Sequence, residues 1–301
     1  MSAPAVRLHR APPASLQAVD VVLVRPSHPG NIGACARAMR VMGLRNLVLV
    51  APRLADAHRH DEARARASGA TDVLAAVRLH DTLADALADV TLAVAVSADV
   101  REFGPPPLSP EEACDQAAAH LRDAGGAGRV AFVFGAERTG LAIDDVQLCQ
   151  RLCSIAGDPD YNSLNLAQAV QVISYVLRRT FDALSAAYGD VAGATGGAPV
   201  TDAASVPAAV QSPELPAARA ADAAAVPGAV GRPAPLAEVE GFHQHLEQAL
   251  IAVGYLDPAT PRKLMPRMRR LFARAQLERE EVNLLRGICR AMEEAARRNG
   301  R

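Results

Sequence analysis

The sequence predicts an α/β fold in which a mostly parallel sheet carries helices on both faces, followed by a small helical unit. Three observations predict it. Short apolar runs bounded by Gly, Pro or charged residues are typical of buried strands. These runs alternate with segments of helical periodicity, which favours parallel strands joined by crossover helices. The chain has 301 residues, 50% hydrophobic and 3% aromatic, so we expect a large, mainly aliphatic core.

The elements of this α/β domain, residues 19–185, follow in order along the chain. Each predicted strand is an apolar run ending at a turn or a charge, and each predicted helix has apolar residues three or four positions apart. The strands are Asp20–Arg25, Leu47–Val50, Thr91–Val96, Arg129–Phe134 and Leu152–Ala156. The helices are Ile32–Met42, Leu83–Ala88, Pro110–Ala124 and a long one from Leu164 to about Ala187.

Composition divides the rest of the chain. Residues 1–18 are expected to form an N-terminal tail. Residues 186–235 are almost entirely Ala, Gly, Pro, Val, Ser, Thr and Asp, with too little large apolar surface to offset ordering entropy, which predicts a disordered linker. Helical periodicity returns in residues 236–301. There we predict three short helices, Val239–Val253, Arg267–Gln276 and about Glu280–Arg298.

Charge and cysteine content limit the class of protein. The net charge is −1 and the sequence pI is about 6.7, so RNA binding must be argued from where the charges lie. The five cysteines, an odd number without an export signal, predict reduced thiols and a cytoplasmic protein. No apolar run approaches the roughly 20 residues of a membrane span, and no cysteine pattern predicts a metal site.

The first motif follows the first strand, where the turn PSHPGN leads into the helix NIGACARAM. Asn31 is a good N-cap residue, and the free N–H groups of a helix start can bind an anion. On a helical wheel Ile32, Cys35 and Met39 share the packed face, and Arg37 lies nearly opposite. Arg37 is therefore predicted to project toward whatever approaches the domain. The alternative is an ordinary solvated arginine.

The second motif is GAERTGL, directly after the strand that ends at Phe134. Gly135 and Gly140 permit close backbone approaches, and Glu137 places a charge at the carboxyl end of a strand. Ligands of open α/β sheets bind beyond those ends. An exposed turn without function is the alternative.

The third motif, DPDYNSLNLAQAV, leads into the long helix. Asn162, Ser163 and Asn165 bring together more polar side chains than one helix cap requires. Either the cap is redundant, or some of these side chains contact a ligand.

Together these motifs resemble the SpoU/TrmH-type members of the SPOUT class of RNA 2′-O-ribose methyltransferases. The matches are N-x-G-x-x-x-R at residues 31–37, F-G-x-E-x-x-G-L at residues 134–141 and S-L-N-L-A at residues 163–167. The resemblance is closest to the TrmJ subgroup, which methylates transfer RNA, and covers about Asp20–Arg179 and Gly241–Met292. It implies a homodimer with a trefoil knot near the end of the catalytic domain.

The resemblance also implies a cofactor and a set of site residues. The cofactor is S-adenosylmethionine, with no metal, and the substrate is the ribose of cytidine or uridine at tRNA nucleotide 32. The implied catalytic residues are Arg37, Ser163, Asn165, Asn31 and Glu137. The implied cofactor-binding residues are Val96, Ser97, Ala98, Gly135, Ile155, Asn162, Ser163 and Leu164. Because Val96 replaces a small polar residue expected there, only a backbone contact to the cofactor is expected from it.

The C-terminal unit carries a cluster of basic residues without an acid among them. On a helical wheel Met268, Leu271, Phe272 and Ala275 share one face of the middle helix. The basic residues are predicted to bind RNA phosphates, the alternative being a solvated helix face. They are Arg262, Lys263, Arg267, Arg269, Arg270 and Arg274.

Three other functions remain open at this point. The same chemistry could act on ribosomal RNA, although the TrmJ-like C-terminal unit favours tRNA. The fold could serve as a non-catalytic RNA-binding factor, which the intact Arg37, Ser163 and Asn165 disfavour. A nucleotide-dependent α/β enzyme is the third, but the chain has no G-x-G-x-x-G or G-K-[ST] loop.

Overall fold

The computed structural model describes residues 11–98, 105–188 and 231–299. Its centre is a seven-stranded sheet in the order β3-β2-β1-β6-β4-β7-β5, and every neighbouring pair is parallel. The strands are β1 Val19–Val24, β2 Asn46–Val50, β3 Arg78–His80, β4 Leu92–Val96, β5 Pro107–Leu108, β6 Val130–Phe134 and β7 Arg151–Cys153. The predicted fold class, a parallel sheet with helices, is confirmed.

Helices cover both faces of the sheet. They are α1 Pro29–Met42, α2 Asp61–Ala67, α3 Thr71–Ala75, α4 Leu83–Ala86, α5 Pro110–Asp123, α6 Ile143–Gln147, α7 Leu166–Tyr188, α8 Leu236–Ala252, α9 Leu264–Ala275 and α10 Arg279–Asn299. Alternate strand residues point to opposite faces. Helices α1, α2, α3, α5 and α7 pack on one face, and α4, α6 and the first residue of α8 pack on the other. None of these helices is long and apolar enough to cross a membrane.

The four central strands were predicted correctly, whereas two edge strands were missed. The edge strands β3 and β5 have three and two residues and include exposed positions, so they lack the apolar run that identifies a buried strand. The predicted strand Leu152–Ala156 corresponds to β7, Arg151–Cys153, which is shorter and begins one residue earlier. The short helices α2, α3 and α6 were also missed, since five to seven residues carry too few apolar repeats to show a period.

Two boundaries differ from the expected ones. Within the expected tail, Ala14–Ala18 form a 3-10 turn that buries Leu16 completely. At the end of the expected linker, the Ala234 N–H donates to the Leu277 carbonyl (2.9 Å), and its side chain is buried. Apolar contacts therefore order the end of the expected tail and the end of the expected linker, which composition alone did not indicate. The remaining parts of these two segments, residues 1–10 and 189–230, lie outside the described residues.

The C-terminal unit packs at the amino ends of the strands. Phe242, Ala249 and Cys289 contribute to its own small core between α8 and α10. The Leu236 N–H donates to the Val90 carbonyl (2.8 Å), just before β4 begins. The Arg151 guanidinium, at the start of β7, donates to the carbonyl of Ala273 (2.8 Å).

Candidate active site

The three sequence motifs meet at the carboxyl edge of the sheet. The first follows β1, the second follows β6, and the third follows β7 and leads into α7. Strand β6 lies between β1 and β4, and β7 pairs with the other side of β4. Because parallel strands all end at the same edge, residues more than 100 positions apart come into contact there.

Glu137 joins the second motif to the first. One carboxylate oxygen accepts from the Ser27 N–H (2.9 Å) and the Ser27 hydroxyl (2.8 Å). The other accepts from the Asn31 side-chain amide (3.0 Å) and the His28 N–H (3.2 Å). Sequence reasoning missed Ser27 and His28. Their only signal was their position in the turn after β1.

These donors also explain the acidity of Glu137. Burial alone would raise the pKa of its carboxyl group. The hydrogen bonds from Asn31 and Ser27 outweigh burial, and the pKa lies below its ordinary value of 4.5. The residue is therefore ionised at neutral pH and holds the two loops together as a carboxylate.

We expect Glu137→Gln to destabilise the fold in a pH-dependent manner. At pH 7 the amide accepts fewer of the four hydrogen bonds, so the free energy of unfolding should fall by about 1–2 kcal/mol. Because the folded pKa is depressed, the wild-type advantage is present above pH 4.5 and is lost as the pH falls toward the folded value. Urea denaturation of both proteins at pH 7 and pH 4 measures this difference. A gap of equal size at both pH values would contradict the assigned role of the charge.

Asn31 extends the connection to the third motif. Its side-chain oxygen accepts from the Asn165 amide (3.2 Å), and the Asn165 oxygen accepts from the Ala167 N–H at the start of α7 (2.9 Å). The prediction that Asn31 caps α1 is wrong. The His28 imidazole accepts from the Gly30 N–H (3.2 Å) as the cap, because α1 begins at Pro29, three residues earlier than expected. Asn31 is thereby left to bind Glu137 and Asn165.

A cleft of about 310 Å³ opens beside this network. That volume is within the range of small-molecule sites, about 300–1,000 Å³. The loops after β4, β6 and β7 line it. All eight residues predicted to bind the cofactor are among its lining residues: Val96, Ser97, Ala98, Gly135, Ile155, Asn162, Ser163 and Leu164. Within the described ranges, no group of three or more His, Cys, Asp or Glu residues is placed to hold a metal ion.

Arg37 lies on the exposed face of α1, as predicted, while Ile32, Cys35 and Met39 on the same helix are fully buried. Burial raises the pKa of the Cys35 thiol, in keeping with a packed side chain. Arg37 is six residues beyond Asn31, about 9 Å along the helix axis. It forms no hydrogen bond or ion pair with any described residue and is not part of the cleft lining. Arg40, one turn later, is paired with Asp72 (2.9 Å).

The predicted basic face of α9 needs one correction. Arg269 faces α8, where its Nη2 donates to the Glu240 carboxylate (2.7 Å) and holds the pKa of Glu240 well below its ordinary value. Leu271, expected on the packed face, is 49% exposed. The packed face of α9 is thus rotated from the predicted one. The basic residues that remain exposed are Arg262, Lys263, Arg267, Arg270 and Arg274.

Comparison with known families agrees with this geometry. Residues 18–175, which include all three motifs, match the family model described as the SpoU rRNA methylase family. The chain belongs to the SpoU methylase family. Residues 237–301 match a second model, the C-terminal domain of the tRNA methyltransferase TrmJ, which places this SpoU methylase in the TrmJ subgroup.

Relatives of similar length support the same assignment. A Pseudomonas aeruginosa protein named tRNA (cytidine/uridine/adenosine-2′-O-)-methyltransferase TrmJ is 39% identical over 282 residues, covering 94% of this chain and 96% of that protein. A Klebsiella pneumoniae protein named tRNA (cytidine/uridine-2′-O-)-methyltransferase TrmJ is 38% identical over 280 residues, covering 93% and 98%.

Solved structures resemble this SpoU methylase as well. The crystal structure of TrmJ from Z. mobilis ZM4 is 29% identical and covers 91% of this chain and 98% of its own, with a TM-score of 0.67. A probable methyltransferase from Bordetella pertussis is 48% identical and covers 56% of this chain and 98% of its own, with a TM-score of 0.53.

Proposed function

We propose that this protein is an S-adenosylmethionine-dependent tRNA 2′-O-ribose methyltransferase that modifies cytidine or uridine at nucleotide 32 of the anticodon loop. The observation that carries the proposal is the convergence of the three motifs. Their cofactor-binding positions line one cleft, and Glu137, Asn31 and Asn165 are joined beside it. The names of the full-length relatives support tRNA as the substrate.

The cleft suits a cofactor bound mainly by backbone groups. A Cβ at Gly135 would lie 2.0 Å from the Gly140 carbonyl carbon, so the two ends of the loop after β6 are too close together for any side chain. The lining combines apolar side chains with polar and charged ones; the polar and charged residues are Ser97, Glu137, Arg138, Thr139, Asn162 and Ser163. When bound, S-adenosylmethionine would supply an activated methyl group. The residues of this chain must then align the ribose and exclude water.

The ribose 2′-hydroxyl is a poor nucleophile and must lose its proton during the transfer. We assign stabilisation of the developing 2′-oxyanion to Arg37, whose planar guanidinium can at the same time hold a nearby phosphate. A guanidinium is almost never deprotonated in proteins, so the phosphate or a water molecule accepts the proton. Ser163 and Asn165 orient the ribose or the cofactor, and Glu137 holds the loops in position.

The C-terminal unit supplies the tRNA-binding surface in this proposal. Arg267, Arg270 and Arg274 are spaced three and four residues apart, so they lie along one exposed face of α9, with Arg262 and Lys263 just before it. The resemblance adds a homodimer and a trefoil knot, and the cysteine content adds a cytoplasmic location. The dimer can be checked by light scattering of the full chain.

The decisive test is methyl transfer from labelled S-adenosylmethionine to unmodified tRNA transcripts, followed by mapping of the modified nucleotide. We expect label on one 2′-oxygen in the anticodon loop. Transfer to ribosomal RNA instead would favour the second candidate, which membership of the SpoU rRNA methylase family specifically suggests. Binding of cofactor and RNA without any transfer would indicate a non-catalytic factor.

A further inference from the structure

Tyr161 is an exposed aromatic residue in a protein that has few of them. Only 3% of the residues are aromatic, yet the Tyr161 side chain is 82% exposed, more than any other large hydrophobic side chain among the described residues. Its ring contacts no other aromatic ring in the part of the chain that the structure describes. Packing therefore does not account for a large ring at this position.

The position of Tyr161 connects it to the cleft. The Tyr161 N–H donates to the Asp158 carbonyl (3.1 Å), which closes a turn after β7. The next three residues, Asn162, Ser163 and Leu164, all line the cleft. The exposed ring is thus attached at the rim of the cleft, one residue before Asn162, which lines it.

The substrate chemistry gives such a ring a function. Nucleotides in single-stranded RNA loops can be splayed out of the stack, and a nucleotide that enters a cleft in this way leaves its base without its stacking neighbours. Exposed aromatic side chains restore that stacking in proteins that bind single-stranded RNA. We propose that Tyr161 stacks on the base of the nucleotide to be methylated and so positions its ribose at the cleft. This inference rests on the proposed function.

The absence of tryptophan from the chain allows a direct test. Tyr161→Trp introduces a single tryptophan at the rim, and Tyr175→Trp, at a half-exposed position on α7, is the matched control. Both full-length variants are titrated with an anticodon stem-loop RNA and, separately, with S-adenosylmethionine. We expect RNA to quench the tryptophan at position 161 and not the one at 175. RNA that lacks the base at the methylated nucleotide should quench neither tryptophan.

The same titrations can overturn the proposal. Quenching at position 161 by S-adenosylmethionine alone would assign the ring to the cofactor. Equal quenching by the intact RNA and the RNA that lacks the base would show that the ring does not contact that base. No quenching by an RNA that binds both variants would exclude Tyr161 from the interface.

Kinetics provide an independent readout. Tyr161→Ala should lower kcat/KM for tRNA by about 10-fold or more, whereas Tyr161→Phe, which keeps the ring, should remain within about twofold of wild type. Cofactor affinity and the salt dependence of RNA binding should not change, because no charge is altered. A Phe variant as impaired as the Ala variant would assign the effect to the hydroxyl instead. If wild-type protein transfers no methyl group to tRNA, the proposed function fails, and the fluorescence titration still reports whether the ring meets RNA.

Discussion

Arg37→Ala should lower kcat for tRNA methylation by about 100- to 1,000-fold, the usual effect of removing one group that stabilises a developing oxyanion. The fold should be unaffected, because Arg37 is exposed and forms no hydrogen bond or ion pair with the described residues. Arg37→Lys should remain well below wild type, since an ammonium cannot bind a phosphate and an oxyanion in the planar arrangement of a guanidinium. Single-turnover methyl transfer at saturating tRNA measures the chemical step.

Arg40→Ala is the matched control on the same helix. Arg40 is also exposed, but its guanidinium forms an ion pair with Asp72. Its loss should therefore change stability slightly and catalysis little. Cofactor affinity should be the same in all three variants. Near-full turnover by Arg37→Lys would contradict the need for the planar group, and near-full turnover by Arg37→Ala would remove Arg37 from the mechanism.

Gly135→Ala should both destabilise the fold and weaken cofactor binding. The new Cβ would lie 2.0 Å from the Gly140 carbonyl carbon and 2.2 Å from the Leu141 nitrogen, and backbone atoms cannot yield as a flexible side chain can. Leu141 is buried, and Glu137 is held by four hydrogen bonds, so the loop between them is fixed at both ends. We expect a loss of about 1–3 kcal/mol in unfolding free energy. Cofactor affinity should fall by at least about 10-fold, because the same loop lines the cleft.

Gly69→Ala provides the comparison for this substitution. A Cβ at Gly69 meets no atom within 4 Å, so the change should alter the unfolding free energy by less than about 0.5 kcal/mol. Thermal unfolding and equilibrium dialysis with S-adenosylmethionine measure both properties. A Gly135→Ala protein with wild-type stability and affinity would show that the backbone at Gly135 and the backbone at Gly140–Leu141 can separate at no cost.

Local sequence pattern determined the layout of the catalytic domain. The runs that became β1, β2, β4 and β6 are buried on both faces, so apart from Asp20 and Asn46 they are apolar and can be recognised without knowing their neighbours. The helical spacing of the apolar residues in α1 likewise placed Arg37 opposite the packed face. The family resemblance, which rests on ordered motifs, selected eight of the residues that line the cleft.

Only the tertiary structure decided which side chains meet. Glu137 binds Ser27 and Asn31, which are 110 and 106 positions away, because β1 and β6 are neighbours in the sheet. Arg269 pairs with Glu240 because α9 packs with that face against α8, and no helical wheel specifies the rotation of a helix against its partner. Periodicity identifies the buried side of an element, whereas hydrogen-bond partners depend on strand order and helix packing. These arise from contacts between residues far apart in the chain.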